Sequence, residues 1–226
     1  MKNFWKKNLW AALLTAAFTL SVGCSDSDDS SVSSSADSTA SQASVADSTE
    51  SIASSDNTYS YTMNEDGTIS ITGYSSSETD VNLPSTLDGY VVSAIADHAF
   101  EANYDLTSIT MPNGLTTIGE SAFMDCSSLT TVSIPETVSE VRRAAFASCT
   151  SLTSITFPAS VETCMEEAFT ACVSLTTLTV ESSTLEYDSW GLIESGENLS
   201  CTIICPAGST IETWAVENGF ATETLA

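Results

Sequence analysis

Three cysteines lie at equal intervals, and their chemistry needs an explanation. Cys126, Cys149 and Cys172 are 23 residues apart. Thiols form disulfides, bind metals or stay reduced and buried, and the equal spacing places these three in one column of a periodic structure. Side chains of neighbouring coils, about 4.8 Å apart, point the same way in such a column, which suits a disulfide poorly. We therefore expect buried free thiols, with one disulfide or a metal site as alternatives.

Four other positions bear on the role of these cysteines. Asn103 lies 23 residues before Cys126 in the same column, which indicates a corner where the side chain bonds loop backbone. Cys164 falls in a different, core-facing column. Cys201 and Cys205 are four residues apart in a predicted strand, roughly 13 Å end to end, so they cannot bridge each other.

The sequence contains no recognisable set of catalytic residues. His98 is the only histidine, and its column continues through Ser121, Ala144 and Glu167, as is typical of a solvated position. The sequence contains no Gly-rich phosphate loop, no metal-ligand spacing and no G-x-S-x-G motif. We assign no catalytic residue, metal or cofactor and interpret the chain as a non-enzyme.

The charge is strongly acidic. The formal net charge is −25, from 5 basic and 30 acidic residues. Three of the five basic residues precede residue 24, so the remainder carries 2 − 30, or −28, with Arg142 and Arg143 as its cations. This field disfavours nucleic acid and anionic lipid surfaces. Arg143 shares a column with Glu120 and Glu166, which favours relief of repulsion between carboxylates; an anchor for an acidic ligand is the alternative.

The N-terminus reads as an export signal. Residues 1–23 combine three lysines with an apolar run and are followed by a cysteine. The segment Ser21-Val22-Gly23-Cys24 resembles a bacterial lipobox, and the resemblance implies lipidation of Cys24 and anchoring in a membrane. An ordinary cleaved signal and an uncleaved anchor are the alternatives.

Residues 24–56 differ in composition from the rest of the chain. They are rich in serine and aspartate and contain no aromatic residue, proline or glycine. So little apolar surface cannot offset the entropy lost on ordering, so we expect a disordered stalk.

The folded domain begins near residue 57, and from Ala99 its sequence repeats with a period of 23. Three columns recur: Ala-Phe pairs, leucines and prolines. Segments such as Leu152-Thr-Ser-Ile155-Thr-Phe157 carry the L-x-x-L-x-L pattern of a leucine-rich repeat solenoid. We expect an α/β fold with parallel strands on one face and short helical or irregular segments opposite. The predicted strands lie near residues 106–111, 129–134, 152–157, 175–180 and 200–205, and the predicted buried phenylalanine stack comprises Phe100, Phe123, Phe146 and Phe169.

This repeat unit, L-T-S-I-T-F-P followed by V, A-F and C, is similar to the BspA-like leucine-rich repeats of bacterial surface proteins. The resemblance covers Tyr59 to about Gly219. It implies an extracellular interaction domain at the bacterial cell surface that binds an unidentified protein or glycan of host matrix, mucin or other bacteria.

Both ends of the array carry capping signals. Two alternating segments flank Asp66-Gly67, which predicts a hairpin cap within residues 57–80. Within residues 206–226, Ser209 and Glu212 form a capping box and Gly219 stops the helix. Solenoids need such caps because a terminal coil otherwise exposes its apolar face.

Aromatic residues cluster where the period fails. Tyr187 and Trp190 lie in one irregular segment, and Tyr90 lies in a five-residue insertion. Insertions into solenoids become loops and often form the binding face, so these three are our candidate ligand-binding residues. Packing of Tyr187 and Trp190 beneath the C-terminal helix is the competing interpretation.

A passive structural surface protein is the alternative function. The solvent side of the strands carries Thr/Ser pairs, such as Ser154 and Thr156, which resemble ice-binding faces. Threonine is also simply a good exposed strand residue, and a curved array does not match a planar lattice.

Overall fold

The structure, a computed structural model, describes residues 50–187, 189–194, 197–198 and 200–225. Residues 1–23, Cys24 and the stalk as far as residue 49 lie outside the described residues. The described part contains one helix, α1 (Thr210–Glu217). The strands, in chain order, are β1 (Ile52–Ala53), β2 (Tyr59–Met63), β3 (Ile69–Tyr74), β4 (Asp80–Asn82), β5 (Thr86–Leu87), β6 (Tyr90–Ile95), β7 (Ser108–Thr110), β8 (Thr117–Ile118), β9 (Thr131–Ser133), β10 (Glu140–Val141), β11 (Ser154–Phe157), β12 (Thr163–Cys164), β13 (Thr177–Val180), β14 (Glu186–Tyr187), β15 (Ile193–Glu194), β16 (Glu197–Asn198), β17 (Thr202–Cys205) and β18 (Ala221–Thr224).

The N-terminal cap is the predicted hairpin. Strands β2 and β3 pair antiparallel around the Asp66-Gly67 turn, where Gly67 has a φ of 81°. Strand β1 pairs antiparallel with the outer edge of β2, and the Ser54 side chain beside it is buried. The cap therefore begins upstream of residue 57, because residues counted as stalk contribute a third strand.

The predicted strands of the repeat are confirmed as parallel. Strand β7 pairs with β4 and β9, whereas β11, β13, β17 and β18 pair in that order. These two groups form separate sheets of three and four strands. Alternate residues such as Ile155 and Leu178 are buried, because successive side chains of a strand point to opposite faces.

A second parallel ladder, which the sequence pattern does not predict, lies elsewhere on each coil. The two-residue strands β8, β10, β12 and β14 continue the order β3-β6 of the N-terminal sheet. Their inward residues are buried, as Ile118, Val141 and Cys164 show. Each coil therefore contributes two strands, and the chain between them turns a corner.

The segments opposite the strands are turns rather than helices. Alternate backbone N–H groups donate to the next coil, for example Phe123 N to Ala145 O at 2.8 Å. This ladder requires two left-handed residues per coil, with φ between 52° and 62°. These residues are His98, Ser121, Ala144 and Glu167 in one column, and Ala102, Asp125, Ser148 and Ala171 in the other.

The phenylalanine stack lies inside these turns. Phe100 is 2% exposed, and Phe123, Phe146 and Phe169 are 0% exposed. Neighbouring ring centroids are 5.2 to 6.1 Å apart. The predicted continuous stack is therefore confirmed, and it confirms the register of the repeat.

The C-terminal cap combines the predicted helix with an unexpected strand. The Ser209 side chain accepts from Glu212 N at 3.1 Å, and the Glu212 carboxylate accepts from Gly208 N at 2.6 Å, so the helix start is capped in both directions. After Gly219, with a φ of 79°, strand β18 pairs in parallel with β17. Helix and strand together cover the last coil.

Candidate functional site

A pocket lined by aromatic rings lies at the C-terminal end of the array. It encloses about 320 Å³, and we call it the aromatic pocket. Strand β14 contributes Tyr187, the following turn contributes Trp190, and helix α1 contributes Trp214. The other lining residues are Ser189, Gly191, Leu192 and Asn218.

The three rings contact one another. Their centroids are 5.5 to 5.7 Å apart in every pairing. Trp190 is 1% exposed, whereas Tyr187 and Trp214 are half-buried. Burial raises the pKa of the Tyr187 phenol, and the nearby Glu217 carboxylate raises it further. Trp190 therefore forms the floor of the pocket, and the other two rings form its walls.

Trp190 also ends the phenylalanine stack. Its ring meets Phe169 edge-on, with centroids 6.3 Å apart and an interplanar angle of 88°. The indole N–H donates to the Cys164 carbonyl at 3.4 Å. Packing beneath the C-terminal helix, the competing interpretation of the sequence, therefore describes Trp190 correctly, and a ligand would touch mainly the walls.

Gly191 makes the pocket geometrically possible. It has a φ of 76°, and a Cβ atom there would lie 2.7 Å from the backbone nitrogen of Thr170. Only glycine allows the chain to turn this close to the preceding coil. Gly191 thus lets the segment that carries Trp190 lie close against Thr170 of the preceding coil.

Tyr90 does not belong to this pocket. It lies on β6, and the strands β8, β10 and β12 separate β6 from β14. Tyr90 is 41% exposed, and its ring contacts that of Tyr61, with centroids 6.4 Å apart. The sequence pattern groups Tyr90 with Tyr187 and Trp190 and gives no sign of Trp214, whose place beside them depends on the docking of the helix.

The repeated thiols are hydrogen-bond donors. Each Sγ donates to the carbonyl of the phenylalanine 26 residues earlier, at 3.0 to 3.2 Å. The pairs are Cys126 with Phe100, Cys149 with Phe123, and Cys172 with Phe146. No disulfide joins any two of the six cysteines between residues 126 and 205. The expected role, a weakly polar group that bonds loop backbone, is confirmed.

Burial makes these thiols poor nucleophiles. It raises the pKa of Cys126 to about 12 and that of Cys201 to about 11. It also raises the pKa of Cys149 and of Cys164. A thiolate is the reactive form of cysteine, so burial disfavours reaction of these four side chains at neutral pH.

The other candidate groups lie on the surface. The His98 Nδ1 atom is 2.8 Å from a Glu101 carboxylate oxygen, and the imidazole is 56% exposed. Within the described ranges, no three acidic, cysteine or histidine side chains come together as metal ligands. No helix among the described residues is long and apolar enough to span a bilayer.

Arg143 occupies the position expected between acidic neighbours. Its guanidinium lies 3.3 Å from Glu120, 3.3 Å from Glu166 and 2.5 Å from Glu167. These carboxylates, Glu167 first, raise the pKa of Arg143. The guanidinium thus forms ion pairs with both neighbouring coils, as expected if it relieves the repulsion between their carboxylates.

The Thr/Ser face is exposed but divided. Ser154 and Thr156 lie on one sheet, and Thr131 and Ser133 lie on the other. All four side chains are exposed. No backbone pairing joins β9 to β11, although these two strands lie beside each other.

The chain belongs to the BspA-type leucine-rich repeat family. The model described as "BspA type Leucine rich repeat region" matches residues 74–220 in six copies, which is more than half of the chain. The repeats of this family are typically non-catalytic. No curated protein sequence matches the chain significantly.

Solved structures of bacterial leucine-rich repeat proteins resemble this one. A leucine-rich repeat protein from T. pallidum is 28% identical with a TM-score of 0.60, covering 65% of this chain and 68% of that chain. One from Bacteroides capillosus is 33% identical with a TM-score of 0.50, covering 55% and 94%. The fold is therefore a leucine-rich repeat solenoid with parallel strands and little helix.

Proposed function

We propose that this chain is a binding module that holds an extracellular protein or glycan at the surface of a bacterial cell. The aromatic pocket is the observation that carries the proposal. Aromatic anchors in a concave site supply most of the binding energy in many interfaces. The partner would be a host matrix protein, a mucin or another bacterium's surface.

The pocket is suited to binding because its rings are already ordered. Tyr187 and Trp214 are held by contacts with Trp190, and Trp214 also stacks on Phe220 with centroids 5.3 Å apart. A partner that packs a sugar ring or an apolar side chain against these walls therefore loses little side-chain entropy on the protein's side. The half-buried edges remain available for that contact.

Attachment to the membrane is the second part of the proposal. Cys24 would carry the lipid, and the serine-rich segment that follows would hold the solenoid away from the membrane. The sequence of residues 1–24 supports this arrangement. Substitution Cys24→Ser should abolish metabolic labelling with fatty acid and release the protein from the membrane fraction; labelling that persists would contradict lipidation at this residue.

The two tryptophans of the pocket allow ligand binding to be measured by fluorescence. Trp190 and Trp214 are the only tryptophans after residue 10, so a ligand in the pocket should change intrinsic fluorescence. Immobilised host matrix proteins, mucins and bacterial cells provide the candidate partners.

Tyr187→Ala separates a binding role from a capping role. We expect it to weaken capture of the partner at least about tenfold, whereas Tyr104→Ala, at a site that is 60% exposed, has no effect. Trp190→Ala should lower stability in either case. Undiminished affinity of the folded fraction of both Tyr187→Ala and Trp190→Ala would leave only the capping role.

A further inference from the structure

A second concave site lies near the N-terminal cap, and its lining is polar. It encloses about 430 Å³ on the outward side of strands β2, β3, β6 and β8. We call it the polar groove and define it by six lining residues. These are Thr62, Asn64, Ser70, Ala94, Thr117 and Arg142.

The groove exists because one column of the repeat changes size. Ala94 is in register with Thr117, which is in register with Glu140 and then Thr163. The methyl group of Ala94 leaves a depression where later coils carry longer side chains. The hairpin strands rise on one side of it and Arg142 on the other.

Hydrogen bonds fix the polar groups on the hairpin side. The Asn64 amide donates to Thr68 Oγ1 at 2.9 Å and to Ser93 Oγ at 3.1 Å. Its oxygen accepts from Ser70 Oγ at 2.9 Å, and Thr68 Oγ1 donates to the Asp66 carboxylate at 2.6 Å. Such a network orients donors and acceptors before any ligand arrives.

The opposite rim places a guanidinium beside carboxylates. Arg142 Nε lies 3.2 Å from Glu140, and its Nη1 lies 3.6 Å from Asp97. The Asp97 carboxylate is itself held by the Glu120 N–H at 2.7 Å. A hydroxyl group donates and accepts at once, so two adjacent hydroxyls can satisfy a guanidinium and a carboxylate together.

The charge balance restricts the ligand class. Arg142 is the one cation of the lining, whereas Asp66 and Asp97 also line the groove and Glu140 adjoins it. This surplus of carboxylates repels an anionic ligand, and Asp97 and Glu140, which would attract a cation, already pair with Arg142.

We propose that the polar groove binds a neutral saccharide through adjacent hydroxyl groups. Asn64, Ser70 and Thr117 contact the ring hydroxyls over Ala94, while Arg142 and Asp97 hold a hydroxyl pair at the far rim. This site is separate from the aromatic pocket, since β12 lies between its Arg142 rim and β14, and it stands whether or not that pocket binds anything.

The repeat itself supplies the variants that test this site. Ala94→Gln fills the groove with a side chain of the length that Glu140 has in the same column. Arg142→Met removes the guanidinium and places there the residue found 23 positions later, Met165. Thr163→Gln is the control, because it introduces the same glutamine into the same column at a position outside the groove. All three should keep the wild-type melting temperature within a few degrees.

The measurement is NMR titration of the isotope-labelled full chain with galactose, glucose and mannose, and separately with N-acetylneuraminic acid and spermidine. We expect at least one neutral hexose to shift the amide resonances of Ala94 and Thr117. Its affinity should fall at least about tenfold in Ala94→Gln and in Arg142→Met and stay unchanged in Thr163→Gln.

Three results would overturn the proposal. These are an absence of shifts at Ala94 and Thr117 with every neutral hexose, shifts there with the charged probes alone, and undiminished affinity in a folded groove variant. Because the groove contains no tryptophan, the fluorescence change assigned to the aromatic pocket reports independently on that other site.

Discussion

The rings of Phe123 and Phe146 stack almost parallel, with centroids 5.4 Å apart and an angle of 4° between their planes. The stack extends to Phe100 and Phe169, and the Trp190 indole closes it edge-on. One side chain per coil thus links every turn of the central array to the aromatic pocket. The solenoid and its candidate binding site share one core.

Loss of a central ring should therefore be costly. Phe146→Ala removes contacts with both neighbouring rings and leaves a cavity, so we expect the free energy of unfolding to fall by about 3–5 kcal/mol. Chemical denaturation followed by circular dichroism measures this. Val173→Ala, at a position 63% exposed, is the control and should change stability by less than about 0.5 kcal/mol. A small effect of Phe146→Ala would mean that the phenylalanine stack contributes little to the free energy of unfolding.

A left-handed residue offers a stabilising substitution. Ala144 has a φ of 53°, a conformation that costs an alanine about 1–2 kcal/mol and a glycine almost nothing. Ala144→Gly should raise the free energy of unfolding by about 0.5–1 kcal/mol after the entropy of the unfolded glycine is subtracted. Ala145→Gly, at the next, fully buried residue, should lower it. Equal effects of both substitutions would contradict the assigned backbone conformation.

The buried thiols predict a loss of stability at high pH. The pKa of Cys126 is raised from 9.0 to about 12, so above pH 9 the unfolded chain releases a proton that the folded chain retains. The stability associated with this thiol is complete below pH 9 and is lost as the pH rises toward 12. Denaturation midpoints measured across this range should fall more steeply in the wild type than in Cys126→Ala. If the wild type and Cys126→Ala lose stability equally with rising pH, the Cys126 thiol does not contribute to this pH dependence.

Arg143 should stabilise the array modestly. Arg143→Glu removes contacts with Glu120, Glu166 and Glu167 and adds a like charge, which should lower the melting temperature by a few degrees. The effect should shrink at high salt, because the guanidinium is 44% exposed and screened. An unchanged melting temperature at low salt would show that relief of repulsion between coils is unimportant.

Much of the architecture follows from periodicity. The equal spacing of Phe100 and Phe123, and of Leu152 and Leu175, predicted the stack and the strand positions, because one coil cannot bury its apolar residues without the next. The hairpin at Asp66-Gly67 and the helix after Ser209 were predicted from local turn and capping chemistry. Neither inference needs knowledge of distant contacts.

Other features carry no local signal. Strand β18 lies beside β17 only because the helix returns the chain to the last coil, and the two-residue strand Glu140–Val141 is too short for a periodic pattern. The left-handed conformation of Ala144 is imposed by backbone bonding to the neighbouring coil, where Ala144 N donates to Glu166 O at 3.0 Å. Each of these depends on residues distant in sequence.

The sequence by itself determined the class of fold, the buried columns and the aromatic identity of Tyr187 and Trp190. Only the tertiary structure decided that Trp214 joins them, that Tyr90 lies on the other side of three strands, and that a groove opens over Ala94. The physical reason is the same in each case. A repeat specifies what each coil must bury, whereas concave sites arise where a cap or a small side chain interrupts the stacking, and that depends on how separate segments dock.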